Sequence, residues 1–228
     1  YVRLAGTELA LRPQRRSGTR EGLDIVVAAY NAKAYLHECV DSLLVPNRDD
    51  IQVIVIDDGS SDGSGEELKQ AFAGDARVRV VRKPNGGCAS ARNYGRLVSD
   101  ASHIAFVDAD DTVTPEFFAH LLELSRYSGA EITQGGFDFM TTTESGDVKL
   151  TPSYEVEVFA SLPRFPFGQL EFINVHRDTA LVGQPTIWRR VYRRDFLDAK
   201  GVFFPEHIRA FDDQYFQMAS IYHAGVIP

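Results

Sequence analysis

The stretch His103-Ile104-Ala105-Phe106-Val107-Asp108-Ala109-Asp110-Asp111 reads as an apolar strand that runs straight into an acidic turn. Three carboxylates, Asp108, Asp110 and Asp111, fall within four residues at its carboxyl end. Like charges that close repel one another, and a fold tolerates them when something cationic sits between them. A divalent ion held by hard oxygen ligands and shared with substrate phosphates is one such partner. The plainer reading is an acidic strand-to-helix turn, with Thr114 as N-cap and Pro115 at the first helical position. That reading explains Thr114 and Pro115 but gives no reason for Asp108, which is still close to the strand.

Outward from this stretch the chain repeats strand, turn, helix. Leu23–Ala29 is a continuous apolar strand apart from Asp24, and Ala32–Leu44 follows with Leu36, Val40 and Leu43 on one helical face. Ile51–Ile56 predicts a second buried strand and Gly65–Phe72 a short helix. Arg77–Val81 predicts a third strand, followed by a glycine-rich turn and a helix to about Val98. Ile104–Val107 is the fourth strand, and helix Pro115–Ser128 closes on Gly129 as its C-cap. This alternation predicts an α/β fold with a mostly parallel sheet, whose ligands bind at the carboxyl ends of the strands.

Past Gly129 the rhythm changes. Ile132–Thr142 and Val148–Phe159 read as strands around the turn Ser145-Gly146-Asp147. Gly168–Val175 and Thr186–Leu197 read as short helices, and Phe211–Gly225 as the last one. Residues 1–22, with five arginines among Gly, Ser, Thr and Pro, read as a linker or the tail of an upstream segment. Residues 23–228 then form one domain, with an α/β half over 23–129 and a less regular half over 130–228.

Composition bounds the function. The 228 residues are 44% hydrophobic and 25% charged, a globular balance able to bury a sizeable core. A net charge of −8 argues against a nucleic-acid-coating surface. No apolar run approaches the roughly 20 residues that span a bilayer. Cys39 and Cys88 neither form a disulfide framework nor have metal-ligand spacing, which fits a reducing cytoplasm. The start at Tyr1, without Met or signal peptide, reads as an excised or processed piece.

Four predicted strand ends carry polar clusters: Ala29-Tyr30-Asn31, then Asp57-Asp58-Gly59-Ser60-Ser61-Asp62-Gly63-Ser64, then Asn85-Gly86-Gly87 leading to Ala91-Arg92-Asn93, and finally Asp108–Asp111. In a parallel sheet all four face one crevice. Carboxylates there suit hydroxyls, base N–H groups or a metal. Arg92 suits a phosphate, and glycines permit close backbone approach. Taken singly, each has a plain alternative: two turns, a surface arginine, a tyrosine over a sheet edge. Independent turns, however, need not all be acidic or phosphate-competent on one rim.

In this order the motifs resemble family 2 glycosyltransferases of the GT-A fold. The matching pieces continue with Trp188-Arg189-Arg190-Val191-Tyr192-Arg193-Arg194 and Phe211-Asp212-Asp213-Gln214, and together cover about residues 23–220. The resemblance implies an inverting transfer of a sugar from a nucleotide diphosphate, a UDP-sugar, to a glycan or lipid-linked glycan of the bacterial cell surface. It implies that Ala29 and Asn31 line the nucleotide pocket with Tyr30 beside it. Asp57 would accept from the base with Asp58 close by, Asn85 would lie in the donor loop, and Arg92 would lie near the ribose or diphosphate. Asp108 and Ala109 would face the ribose and donor sugar. Asp110 would ligate Mn²⁺ or Mg²⁺ carried by the diphosphate, and Asp213 would be the general base. Where the family most often has Glu-Asp, this chain has Asp212-Asp213.

Weaker candidates are Trp188, His207, Arg209 and Asp212 for the acceptor or diphosphate, and His223 as a further metal ligand. Each reads as well as core or surface. A sugar nucleotidyltransferase would want a glycine-rich loop after the first strand, and Ala29–Ala34 has no glycine. A non-catalytic nucleotide-sugar or glycan-binding module would keep the pocket and lose Asp213. A dehydrogenase would show G-x-G-x-x-G there. The expected setting is the cytoplasm, with peripheral contact at the inner face of the membrane. Acceptor-binding elements are expected beyond Ile227-Pro228.

Overall fold

The computed structural model describes residues 2–4, 7–9, 19–143, 146–153, 164–167, 170–173, 186–208 and 210–224. Strands β1 (Val2–Leu4) and β2 (Thr7–Leu9) pair antiparallel. The main body runs β3 (Arg20–Ala29), α1 (Leu36–Leu43), β4 (Ile51–Asp57), α2 (Ser64–Ala71), β5 (Val78–Arg82), α3 (Cys88–Val98), β6 (Ala101–Asp108) and α4 (Phe117–Ser128). The second half adds β7 (Ile132–Gln134), β8 (Asp138–Thr142), β9 (Val148–Pro152), β10 (Arg164–Phe167) and β11 (Leu170–Ile173). After a 3-10 turn at Ile187–Arg189 come β12 (Arg190–Arg193), α5 (Arg194–Lys200) and α6 (Asp212–His223).

Six strands form one sheet in the order β5-β4-β3-β6-β12-β7. The first four are mutually parallel, and β12 runs antiparallel to both β6 and β7. The α/β reading therefore holds. Alternate side chains of each strand feed opposite cores, as the period of two requires. Ile25, Val27, Val55 and Val107 meet α1 and α4 on one face. Val26, Ile54, Phe106 and Tyr192 meet α3, α5 and α6 on the other. Gly95 matters here: a Cβ would collide with Val26, so glycine lets α3 lie close against β3. Asp24, the polar exception in β3, is 1% exposed and accepts from Ser99 Oγ at 2.6 Å and from the amides of Asp100 and Ala101.

The chain steps from β3 to β4 to β5 and then returns to β6 on the other side of β3. That reversal opens a crevice at the carboxyl ends of β3 and β6.

Several expected elements differ. Strand β3 begins at Arg20 inside the expected linker, because Arg20 pairs with Asp24 and donates to the Asp50 carbonyl at 2.8 Å. Thr114 is not an N-cap: the Phe117 amide bonds the Thr114 carbonyl, Pro115 and Glu116 form a turn, and the helix starts at Phe117. The strand expected over Ile132–Thr142 is two strands, broken at Gly135-Gly136. The strand from Val148 is described to Pro152; residues 154–159 lie outside the described residues. The described part of the helix expected at Gly168–Val175 is instead strand β11, paired with β10, in keeping with its apolar and aromatic residues. The helix expected over Thr186–Leu197 is a 3-10 turn, a buried strand and a helix. Val191 and Tyr192 fill opposite cores, which only a strand allows.

Candidate active site

The first two strand ends are tied to each other. Asn31 takes φ 50°, a conformation asparagine tolerates, and its amide donates to Ser60 Oγ at 3.0 Å. Its own Oδ1 accepts from the Ser61 amide at 2.8 Å. Ala29 is buried, and its carbonyl accepts from the Asp58 amide at 2.8 Å, so only its main chain reaches the rim. Tyr30 projects outward, 56% exposed.

Asp57 and Asp58 both turn inward. Asp57 is 1% exposed, accepts from the Ser60 amide at 2.8 Å and lies 3.4 Å from Arg82. Asp58 accepts from Lys83 Nζ at 2.5 Å and from the amides of Gly86 and Gly87 at 3.0 and 2.7 Å. This carboxylate pins the Asn85-Gly86-Gly87 loop, with Asn85 exposed. In this arrangement both acids accept from the protein's own donors.

Arg92 is the hub of the site. It is 5% exposed on α3, and Nη2 donates to Asp108 Oδ1 at 2.6 Å at the end of β6. Nη1 donates to Asp212 Oδ2 at 3.0 Å at the start of α6. Its guanidinium lies 5.3 Å from the centre of the Phe204 ring. One buried cation thus joins Asp108 to the acid pair that lies 120 residues beyond Arg92 in sequence.

Asp213 is half-buried beside Asp212. Burial pushes its carboxyl above the ordinary value; the Gln214 amide, at 2.8 Å, and Arg92 pull it back. On the other rim Asp110 is exposed, with no hydrogen bond or ion pair among the described residues. Burial, then Asp108 and Asp110, push neighbouring Asp111 up to about 6. No group of three or more His, Cys, Asp or Glu among the described residues could hold a metal by itself. A small divalent ion binds through one or two carboxylates plus substrate phosphates, so an uncommitted Asp110 suits that donor set.

The remaining candidates stand apart. Trp188 is half-buried and packs edge-to-face on Phe137 at 4.9 Å, a packing role. His207 is exposed in a turn before α6, and Arg209 lies outside the described residues. His223 is exposed at the end of α6, eleven residues and so about 16 Å along the helix from Asp212. Ala109 is buried behind the acidic turn. The sequence left unmarked what Asn93 and Phe204 do. Asn93 Nδ2 donates to the Phe204 carbonyl at 2.8 Å, and the Phe204 amide donates back to Asn93 Oδ1 at 3.1 Å. The adjacency of Asn93 to Arg92 was the available signal.

Residues 24–199 match the sequence model described as Glycosyl transferase family 2. The chain belongs to that family. The matched span includes Asp57, Asp58, Arg92, Asp108 and Asp110, while Asp212 and Asp213 lie past its end. The uncharacterized glycosyltransferase EpsJ of Bacillus subtilis (strain 168) is 31% identical over 202 residues, 89% of this chain and 56% of EpsJ. Chondroitin synthase of Pasteurella multocida (strain Pm70) is 36% identical over 94 residues, 41% of this chain and 10% of the synthase. The crystal structure of S. aureus TarS 1-349 in complex with UDP-GlcNAc matches with a TM-score of 0.72 at 18% identity, covering 90% of this chain and 55% of that one. That likeness identifies the six-stranded sheet and its helices as the GT-A fold. This family 2 chain spans about half the length of the first curated relatives it matches.

Proposed function

We propose that this family 2 domain is an inverting glycosyltransferase. It moves a sugar from a UDP-sugar to a hydroxyl of a cell-surface glycan or lipid-linked glycan. The observation that carries the reading is the Arg92 bridge, which joins the acid at the end of β6 to the acid pair that opens α6. A transferase needs donor and base on one crevice. The likeness to a structure described with UDP-GlcNAc supports the nucleotide class, and the similarity to chondroitin synthase supports a polysaccharide acceptor.

In this reading Asp213 accepts the proton of the acceptor hydroxyl as that oxygen attacks the anomeric carbon. The new glycosidic bond forms as the bond to the diphosphate breaks, and the nucleoside diphosphate leaves with the electron pair. Asp110 would hold Mn²⁺ or Mg²⁺, which when bound neutralises charge on the diphosphate as a Lewis acid. Asp108 faces the donor, and Asp58 keeps the Asn85–Gly87 loop folded over it. No helix among the described residues is long and apolar enough to cross a membrane. We place the protein in the cytoplasm, in peripheral contact with the inner membrane face.

The test is nucleoside diphosphate release from a panel of UDP-sugars with glycan acceptors. Release by the wild type, lost in Asp213→Asn, supports the assignment. Equal release by both proteins removes Asp213 as base, and no release with any donor and acceptor removes the transferase reading for this chain.

A further inference from the structure

Arg92 uses its two terminal nitrogens on two different carboxylates rather than making the parallel two-bond fork that a guanidinium forms with one. Asp108 and Asp212 therefore share a single buried cation, and the Arg92 Nε–H finds no acceptor among the described residues. The next residue of α3 repeats the connection. Asn93 exchanges hydrogen bonds with the main chain of Phe204 and donates to Glu206 at 2.9 Å. The Phe204 ring, against which Arg92 lies, stacks on Phe216 of α6 at 3.9 Å between centres. An ion pair, a main-chain clasp and a ring stack all join α3 to the segment that carries the acid pair.

We propose that Arg92 is a positioning residue that couples donor occupancy at Asp108 to the placement of the acid pair at the start of α6. The proposal rests on the donor site described above. The Asp108 side chain is 36% exposed, whereas those of Arg92 and Asp212 are 6% and 14% exposed, so a ligand in the crevice meets Asp108 first. A hydroxyl that donates to Asp108 draws charge away from its pair with Arg92. The guanidinium then bears more strongly on Asp212, since hydrogen-bonded groups polarise one another. Asp213 is the next residue along the helix, so the base is fixed once the donor is in place. By linkage, the state of the acid pair changes donor affinity in return.

Hydrogen exchange read by mass spectrometry on the intact chain tests this, with UDP plus Mn²⁺ as the probe. In the wild type the probe slows exchange about fivefold or more both over 105–111 and over 211–217. Asp212→Asn keeps the shape but removes the charge, and Arg92→Lys keeps the charge but cannot span two carboxylates. Both variants lose the response at 211–217, and Asp212→Asn keeps the one at 105–111. A purely structural role for Arg92 would change the resting exchange of 211–217 but leave the response to UDP intact. Protection at 105–111 without 211–217 in the wild type, or the same response in both variants, overturns the coupling while the donor site stands. Protection at neither segment with UDP, GDP, CDP or dTDP removes the donor site, and the coupling falls with it.

Discussion

Asp213 carries the chemistry of the proposed reaction, and its surroundings fix how pH controls it. Half-burial at the start of α6 holds its carboxyl above the ordinary value of 3.8. A general base works only when ionised, so the transfer rate should rise with pH through a value above that of a free carboxylate. In Asp213→Asn that acid limb should vanish, and the rate should drop by about 10²–10⁴-fold with UDP affinity retained. An unchanged acid limb in the variant would assign the titration to another group. Asp58 has a different task. It holds Lys83, whose side chain is 12% exposed, together with the amides of Gly86 and Gly87. Asp58→Ala leaves that cation without its partner and should cost about 3 kcal/mol in urea unfolding. A loss within 0.5 kcal/mol would mean that Lys83 simply turns to solvent.

The elements of the first half were legible because their causes are local. Ile25, Val27 and Val55 sit in apolar runs bounded by turn residues, and Leu36, Cys39, Val40 and Leu43 mark the buried face of α1 at helical spacing. The second half was harder to read for a physical reason. In β12, Val191 and Tyr192 pair with Ala105 and Ile104 on one side and with Thr133 and Ile132 on the other. Those partners are remote in sequence, so apolar residues beside arginines looked like a helix face. At this scale Gly95 is the sensitive point, because α3 brings both Arg92 and Asn93 to the site. Gly95→Val should push α3 away from Val26 and cost about 1–3 kcal/mol by chemical denaturation, with weaker UDP binding. Wild-type stability in that variant would show that the helix can shift without consequence.

Across the whole molecule, one sheet carries two cores, and β6 ends at Asp108 in the candidate site. His103 lies on that strand, 7% exposed, with Ser102 Oγ at 2.9 Å and Ser125 Oγ at 3.1 Å from its two ring nitrogens. Burial, then Arg126, lower its pKa from 6.5; Glu21 opposes and Arg193 adds to the effect. The folded chain therefore binds a proton less readily than the unfolded one. The stability this confers is present above about pH 6.5 and is lost as pH falls toward the lowered folded value. Thermal unfolding from pH 7.5 to 5 should show that loss, and His103→Gln should flatten this part of the curve. An equal slope in both proteins would shift the effect to other groups.

The four strand-end motifs could be read along the chain, and the parallel sheet sets them at the carboxyl ends of its strands. That one guanidinium spans from Asp108 to Asp212 could not be read, because that contact depends on how α6 packs on Phe204. Nor did the sequence reveal that Asp57 and Asp58 face inward, since a buried acid and an open one look alike in a turn. Calorimetric titration of the chain with UDP, with and without Mn²⁺, alongside Asp110→Ala, tests the donor site most directly. The account predicts metal-dependent binding that Asp110→Ala weakens at least tenfold, about 1.4 kcal/mol. Metal-independent binding, equal in both proteins, would contradict the role given to Asp110, and no binding in either condition would contradict the uridine assignment.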